Sequence, residues 1–254
     1  MKRLLTALAL IPAVTYAILW ANYWVFLFVL MAVALLCYYE YTGIAAGYGF
    51  GALSPMGYGA GVLLLVWQGQ TWPLITMVAL VALAAAMRGD LAKALPRAAL
   101  LLIGIVYVFG CWKWAMPLRE ANRHWLMYAV LLNWAGDSGA YYIGRAIGKH
   151  KMAPQISPQK SWEGAAASVA TSVVVGGAYL LRFIPGITVT GAICLTVAAN
   201  AAGQLGDLAE SVIKRGAHVK DSSAILPGHG GFLDRVDSTL FTLPVIYLWI
   251  KLVA

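Results

Sequence analysis

The chain has 254 residues, 61% of them hydrophobic and 11% charged, with a formal net charge of +8. A soluble domain carries about 25% charged residues, so this composition excludes a water-soluble globular protein and indicates an integral membrane protein. The positive balance does not point to nucleic acid: the cations sit in short loops between apolar runs, where membrane topology and anionic lipid or phosphate ligands account for them.

The opening Met1-Lys2-Arg3 and the apolar run after it resemble a signal peptide. No small-x-small cleavage site follows and a second apolar run does, so a retained first span is expected. A helix needs about 20 apolar residues to cross a bilayer. Nine stretches are expected to do so: 4–20, 23–44, 53–68, 71–88, 95–114, 123–144, 162–182, 187–212 and 238–253. The third is the weakest, being short and rich in glycine. With the N-terminus in the cytoplasm, the inside segments are 1–3, 45–52, 89–94, 145–161 and 213–237. Counting Arg88 and Arg97 at the margins of the third, they hold 13 of the 18 Lys and Arg residues. Nine crossings therefore satisfy the positive-inside rule and leave the C-terminus outside. Trp20, Trp24, Trp67, Trp72, Trp112, Trp114 and Trp125 fall near the outer ends, where amphipathic rings favour the headgroup region. Cys37, Cys111 and Cys194 lie singly in apolar runs, with the spacing of neither a disulfide framework nor a zinc site. The expected fold is an all-α polytopic membrane protein of about nine transmembrane helices. It forms one domain, 1–254, in which 1–122 hold the first five spans and 123–254 the last four.

Polar residues interrupt this pattern at three places. In span six, Asp137 lies about two turns from the cytoplasmic end, and an ionisable group in a span is costly enough to be a functional candidate. The loop that follows carries Ser157, Pro158, Lys160, Ser161 and Glu163. Ser161 suits the N-cap of span seven, with Glu163 in the first turn. A helix start flanked by Lys160 and serine hydroxyls is also an anion site. Gly144 to Lys149 falls one residue short of a P-loop and has His150 where Ser or Thr belongs. Span eight closes with Asn200, Gln204, Asp207, Glu210, Ser211 and Lys214, whose last four members follow i, i+3, i+4 and i+7 as a single polar stripe. Such a stripe is expected to face protein or water.

The stripe leads into the stretch from Ser211 to Ser238, which gathers Lys214, Arg215, Lys220 and Arg235 with Asp221, Asp234 and Asp237. Pro227-Gly228-His229-Gly230-Gly231 between them cannot continue a helix. Asp234 and Asp237 are three apart, on one helical face. Glycine-rich backbone beside paired carboxylates and cations suits a magnesium–phosphate site: hard oxygens hold the metal, cations and N–H groups the phosphate. His229 is placed to touch phosphate or base, and His218 reads as a solvated loop residue.

The order Ser211-x-Ile213-Lys214-Arg215-x4-Lys220-Asp221-x-Ser223-x2-Leu226-Pro227-Gly228-His229-Gly230-Gly231-Phe232-x-Asp234-Arg235-Val236-Asp237 resembles the defining motif of the phosphatidate cytidylyltransferases. Asp137-Ser-Gly-Ala-Tyr-Tyr-x-Gly-Arg and Ser157-Pro158-x-Lys160-Ser161-Trp162-Glu163-Gly164 resemble that family's other shared blocks. The likeness covers roughly residues 133–240. It implies a reaction of CTP with phosphatidate at the cytoplasmic face of the cell (inner) membrane, giving CDP-diacylglycerol and pyrophosphate with Mg²⁺, one ion or two. By resemblance and by oxygen-ligand chemistry, Asp221, Asp234 and Asp237 are expected on the metal, with Lys220 catalytic beside them. Lys214, Arg215 and Arg235 are expected to neutralise triphosphate or the lipid headgroup. Asp137, Ser157, Lys160, Ser161, Ser211 and His229 complete the substrate side. A homodimer is implied by resemblance only. Three rival readings fit less well. An ion transporter would place its acids mid-span, and a scaffold would not converge three polar blocks on one face. A CDP-alcohol phosphotransferase requires a gap of three between its aspartates, where Asp234 and Asp237 leave two.

Overall fold

The computed structural model describes residues 2–50, 55–69, 71–86, 90–226, 228 and 230–253. Arg88, Pro227 and His229, and the start of the expected third span, lie outside them. Among the described residues the architecture is overwhelmingly helical. In order come α1 (Lys2–Leu19), α2 (Tyr23–Gly47), α3 (Met56–Val66), α4 (Thr71–Ala86) and α5 (Ala94–Gly104). A π-helical turn (Ile105–Gly110) and the short α6 (Ala115–Ala121) follow, then α7 (Arg123–Ile147). After a two-stranded hairpin, β1 (Lys151–Ala153) and β2 (Ser157–Ser161), come α8 (Trp162–Phe183), α9 (Val189–Gly216) and α10 (Leu233–Val253).

Five helical stretches are long and apolar enough to cross a membrane: Tyr23–Gly47, Leu91–Ala121, Trp162–Phe183, Val189–Gly216 and Leu233–Val253. α7, with 25 residues, has the length but is more polar. Its polar positions, Asn133 and Asp137 among them, point along the face that meets α8 and α9. α3 is 11 residues long, about 16 Å at 1.5 Å per residue, roughly half of a hydrocarbon core. The described helix of the expected third span thus covers about half of a crossing. It packs closely against its neighbours. A Cβ on Gly57 would lie 2.0 Å from the Tyr38 hydroxyl, and one on Gly61 2.1 Å from the Phe109 ring. Glycines four apart let α3 settle onto α2 and the π-helical turn, the small-xxx-small packing used between membrane helices.

The helix starts follow their capping residues. Asn22, Asn122, Ser161 and Thr188 each accept a backbone N–H from the first turn of α2, α7, α8 and α9. Two features depart from the all-α expectation and its boundaries. The loop 145–161 contains the hairpin, with Lys151 opposite Ser161 and Ala153 opposite Ser157. α10 begins at Leu233, five residues before the expected span, so Asp234 and Asp237 ride on its first turns.

At the opposite end of the molecule, cations cap helix C-termini. Lys113 donates to the Leu64 carbonyl at 3.1 Å and to that of Trp67. Arg119 Nε donates to Ile18 O at 2.8 Å and its Nη2 to Ala21 O, while Arg123 Nη1 donates to Leu19 O. These carbonyls close α1 and α3, where a helix leaves its acceptors unpaired.

Candidate functional site

α7 to α10 enclose a cavity of about 760 Å³ at the hairpin end of the bundle. Asp137 of α7, Ser157, Lys160 and Ser161 of β2, and Asp207 of α9 all line it. Four of the residues expected on the substrate side, from separate blocks of sequence, thus meet around one space. Lys160 Nζ lies 2.6 Å from Asp207 Oδ2, and the Ser211 hydroxyl donates to Asp207 Oδ1 at 3.4 Å. Ser161 is buried, and its hydroxyl caps α8 by accepting Gly164 N–H at 3.2 Å. Glu163, in the same first turn, accepts the His150 N–H and lies 2.6 Å from His150 Nδ1. The hairpin is therefore pinned to the start of α8 at both its edges.

Beside the cavity the α9 stripe meets α10. Lys214 Nζ sits 2.5 Å from both Glu210 Oε2 and Asp234 Oδ1. All three are largely withdrawn from solvent. Lys214 was expected to clamp substrate phosphate, but its ammonium is held between two internal carboxylates. A charge taken out of water demands such partners. Asp234 accepts, in addition, the N–H groups of Ser222 at 3.0 Å and Gly231 at 2.8 Å. Its carboxylate therefore folds the 222–231 loop onto the start of α10. Asp237, one turn on, is buried and accepts Ser238 N–H, at 2.7 Å. It lies within electrostatic reach of Asp137, Asp207 and Glu210.

A further carboxylate arrives from the other half of the chain. Glu40 of α2 is 1% exposed. It accepts the hydroxyls of Ser222 at 2.9 Å and Ser223 at 2.6 Å, and the N–H groups of Phe232 at 2.9 Å and Leu233 at 2.7 Å. Four donors from two segments converge on it, and two of them are first-turn amides of α10, where a helix favours negative charge. Gly231 fits there because a Cβ would stand 2.1 Å from the Ser222 hydroxyl oxygen. Just after α2, the Tyr48 hydroxyl donates to Ile213 O at 2.8 Å. The sequence reading passed over Glu40. Its signal was present, since it is an ionisable residue inside an apolar span.

The remaining expected residues divide. Arg215 donates from Nε to Ile156 O at 3.2 Å and from Nη1 to Val219 O at 3.1 Å, tying the hairpin turn to the end of α9. Lys220, Asp221 and Arg235 are exposed, with Arg235 within electrostatic reach of Asp137. His229 lies outside the described residues. Asp221 and Asp234 stand close together, since a Cβ on Gly230 would lie 2.5 Å from Asp234 Oδ2 and 3.5 Å from Asp221 Cβ, but among the described residues no three His, Cys, Asp or Glu side chains form a metal-binding group. Capping occupies Asp234, and Asp221 is at the surface. The donor chemistry suited to a hard cation lies instead around Asp237. Glu210 Oε1 there is buried and has no hydrogen-bond partner among the described residues, and carboxylate oxygens of this kind are what Mg²⁺ takes.

Comparison with known proteins follows this geometry. A model of the cytidylyltransferase family matches residues 1–253. A phosphatidate cytidylyltransferase of Bacillus subtilis is 38% identical over 153 residues, covering 59% of this chain and 57% of the relative. One from Haemophilus influenzae is 47% identical over 123 residues, covering 47% and 43%. One from Staphylococcus aureus is 42% identical over 149 residues, covering 59% and 57%. The matched stretch spans about half the length of these relatives.

Proposed function

Because the chain belongs to the cytidylyltransferase family, matched over residues 1–253, we propose that it transfers a cytidylyl group from CTP to phosphatidate. A phosphate oxygen of phosphatidate attacks the α-phosphorus of CTP. The new P–O bond forms as the α–β bridge breaks, and CDP-diacylglycerol and pyrophosphate result. The observation that carries this reading is the 760 Å³ cavity, where Asp137, Lys160 and Asp207 meet beside the buried Asp237 and Glu210.

The nucleophile arrives ionised, so no Ser–His pair is required. Two polyanions must instead be held in line, and positioning with charge stabilisation supplies most of the catalysis in such transfers. Lys160 faces the cavity and is the cation best placed to meet phosphate, exchanging Asp207 for substrate oxygen. Arg235, exposed and near Asp137, supplies a second positive group. Lys214 holds Glu210 and Asp234 apart and in place. Mg²⁺ would be held by carboxylate oxygens of Asp237 and Glu210 and would neutralise phosphate charge there. Asp234 acts by positioning the loop and the helix that carries Asp237. Asp221 and Lys220, at the surface, are approach residues for anionic substrate.

The rest of the reading concerns the membrane. We place the hairpin end of the bundle at the cytoplasmic face of the cell membrane, with nine crossings, the N-terminus inside and the C-terminus outside. CTP then enters from water and phosphatidate from the adjoining leaflet. Most of the cations lie at that end, in agreement with the positive-inside rule.

The test is pyrophosphate release by the purified protein in detergent, given phosphatidate, CTP and Mg²⁺, with and without EDTA. Release that requires both lipid and metal is expected. Folded protein that releases none would overturn the assignment.

A further inference from the structure

The cavity is chemically divided along its length. Charged groups, Arg145, Lys151, Lys160 and Asp207, lie at the hairpin end. The wall further into the bundle is polar and carries no cation, with Asn133, Ser168, Asn200, Gln204 and Ser238 beside the carboxylate of Asp137. On α9, Gln204 lies about 5 Å and Asn200 about 10 Å along the helix axis from Asp207, at 1.5 Å per residue. A nucleotide has the same division, a charged phosphate chain and an uncharged base with hydrogen-bonding edges.

A chain of hydrogen bonds fixes how Gln204 presents itself. Asn200 Nδ2 donates to the hydroxyl oxygens of Ser168 at 3.0 Å and Ser172 at 2.9 Å. The Ser172 hydroxyl donates in turn to Leu132 O at 2.8 Å. That leaves Asn200 Oδ1 as an acceptor, and it accepts Gln204 Nε2 at 2.6 Å. Gln204 Nε2 also donates to Ala165 O at 3.3 Å. A backbone carbonyl can only accept, so the atom facing it is the amide nitrogen and not the oxygen. An amide nitrogen has two N–H groups, and both are used. The Gln204 carbonyl oxygen accepts from none of the described residues, on a side chain that lines the cavity.

Resting on the cytidylyltransferase reading, we propose that Gln204 is the residue that selects cytosine, its carbonyl oxygen accepting the base's 4-amino group. Uracil carries a carbonyl at that position and would set oxygen against oxygen. The Asn200–Ser168–Ser172 network positions the amide so that it cannot rotate to welcome uracil by offering its nitrogen. Rejection of a near-isostere by a fixed polar group is the strong form of specificity.

The experiment compares CTP and UTP, each with phosphatidate and Mg²⁺, in the intact protein and in Gln204→Met, which keeps side-chain length without the acceptor. The KM for CTP is expected to rise about tenfold, the size of one lost hydrogen bond. The preference for CTP over UTP should fall by a similar factor, with the KM for phosphatidate unchanged. A CTP-to-UTP ratio equal to that of the intact protein overturns the proposal. Tyr128→Phe controls for packing: it removes the buried 2.9 Å hydrogen bond from Tyr128 to Thr196, outside the cavity wall and outside the network that holds Gln204, and is expected to lower the melting temperature and keep the preference for CTP. Equal loss of preference in Tyr128→Phe would assign the effect to packing and overturn the role of Gln204. The intact protein separates the two levels: if it uses CTP and UTP equally, only Gln204 falls, and if it releases no pyrophosphate from CTP, the underlying reading falls with it.

Discussion

Glu40 and Lys214 show how single charges hold the site. Glu40 closes four donors on one carboxylate, and an amide in its place would turn a donor group toward donors. Each donor left without an acceptor costs about 1–3 kcal/mol. Glu40→Gln should therefore lower the melting temperature and also depress kcat by about tenfold, since Asp237 rides on the turn that Glu40 caps. Turnover at the original rate in a less stable protein would show that the cap serves folding alone. Lys214→Met leaves Glu210 and Asp234 facing each other without their cation, a loss of about 3–5 kcal/mol for a broken buried pair. Adding Glu210→Gln should recover part of that loss. If the single variant melts with the original protein, the ion pair contributes nothing. Both residues stand at positions where the sequence announces charge, but only partly its use. Glu40 meets Ser222 across a separation of 182 residues. A lone carboxylate in an apolar run signals that a partner exists, and tertiary packing decides which.

The helices themselves were legible, because apolar runs of bilayer length have few alternatives. α7 to α9 and the polar stripe of α9 stand where the sequence places them, and so does the cap at Ser161. The hairpin was not legible: its strands are three and five residues long and carry lysine and proline rather than an alternating apolar pattern. Its pairing is set by the helices it joins. The short α3 was flagged by its glycines, whose purpose appears only with their neighbours. A methyl on Gly61 would meet the Phe109 ring at 2.1 Å, so Gly61→Ala should overpack the α3 contact. The expected loss is about 1–3 kcal/mol, read as a lowered melting temperature in detergent. Phe109→Leu in the same chain should return part of it. A Gly61→Ala protein as stable as the original would mean that α3 moves aside freely.

At the scale of the whole molecule, the two halves of the chain are joined at both ends by polar contacts through an apolar middle. At the hairpin end, Glu40 of α2 and Tyr48 just after it hold the start of α10 and the end of α9. At the other end, Arg119 and Arg123 hold the carbonyls that finish α1, with the Arg119 guanidinium 4.5 Å from the centre of the Phe26 ring. These cations run against the positive-inside trend, and topology alone gives no reason for them. Capping does, because unpaired carbonyls at a helix end gain most from a nearby positive charge. The two explanations make different forecasts for Arg119→Leu. If Arg119 only marked a membrane face, its loss would strengthen the basic excess of the hairpin end and leave stability alone. As a cap, its removal should leave orientation unchanged and lower stability by about 1–3 kcal/mol. For a chain of this length that is a fall of roughly 2–4 °C per kcal/mol. Orientation is checked by labelling Lys149→Cys with a membrane-impermeant maleimide, which should react from the same side in both proteins. Melting is checked in the same detergent. An unchanged melting temperature would return Arg119 to the surface and leave Arg123 as the cation that caps α1.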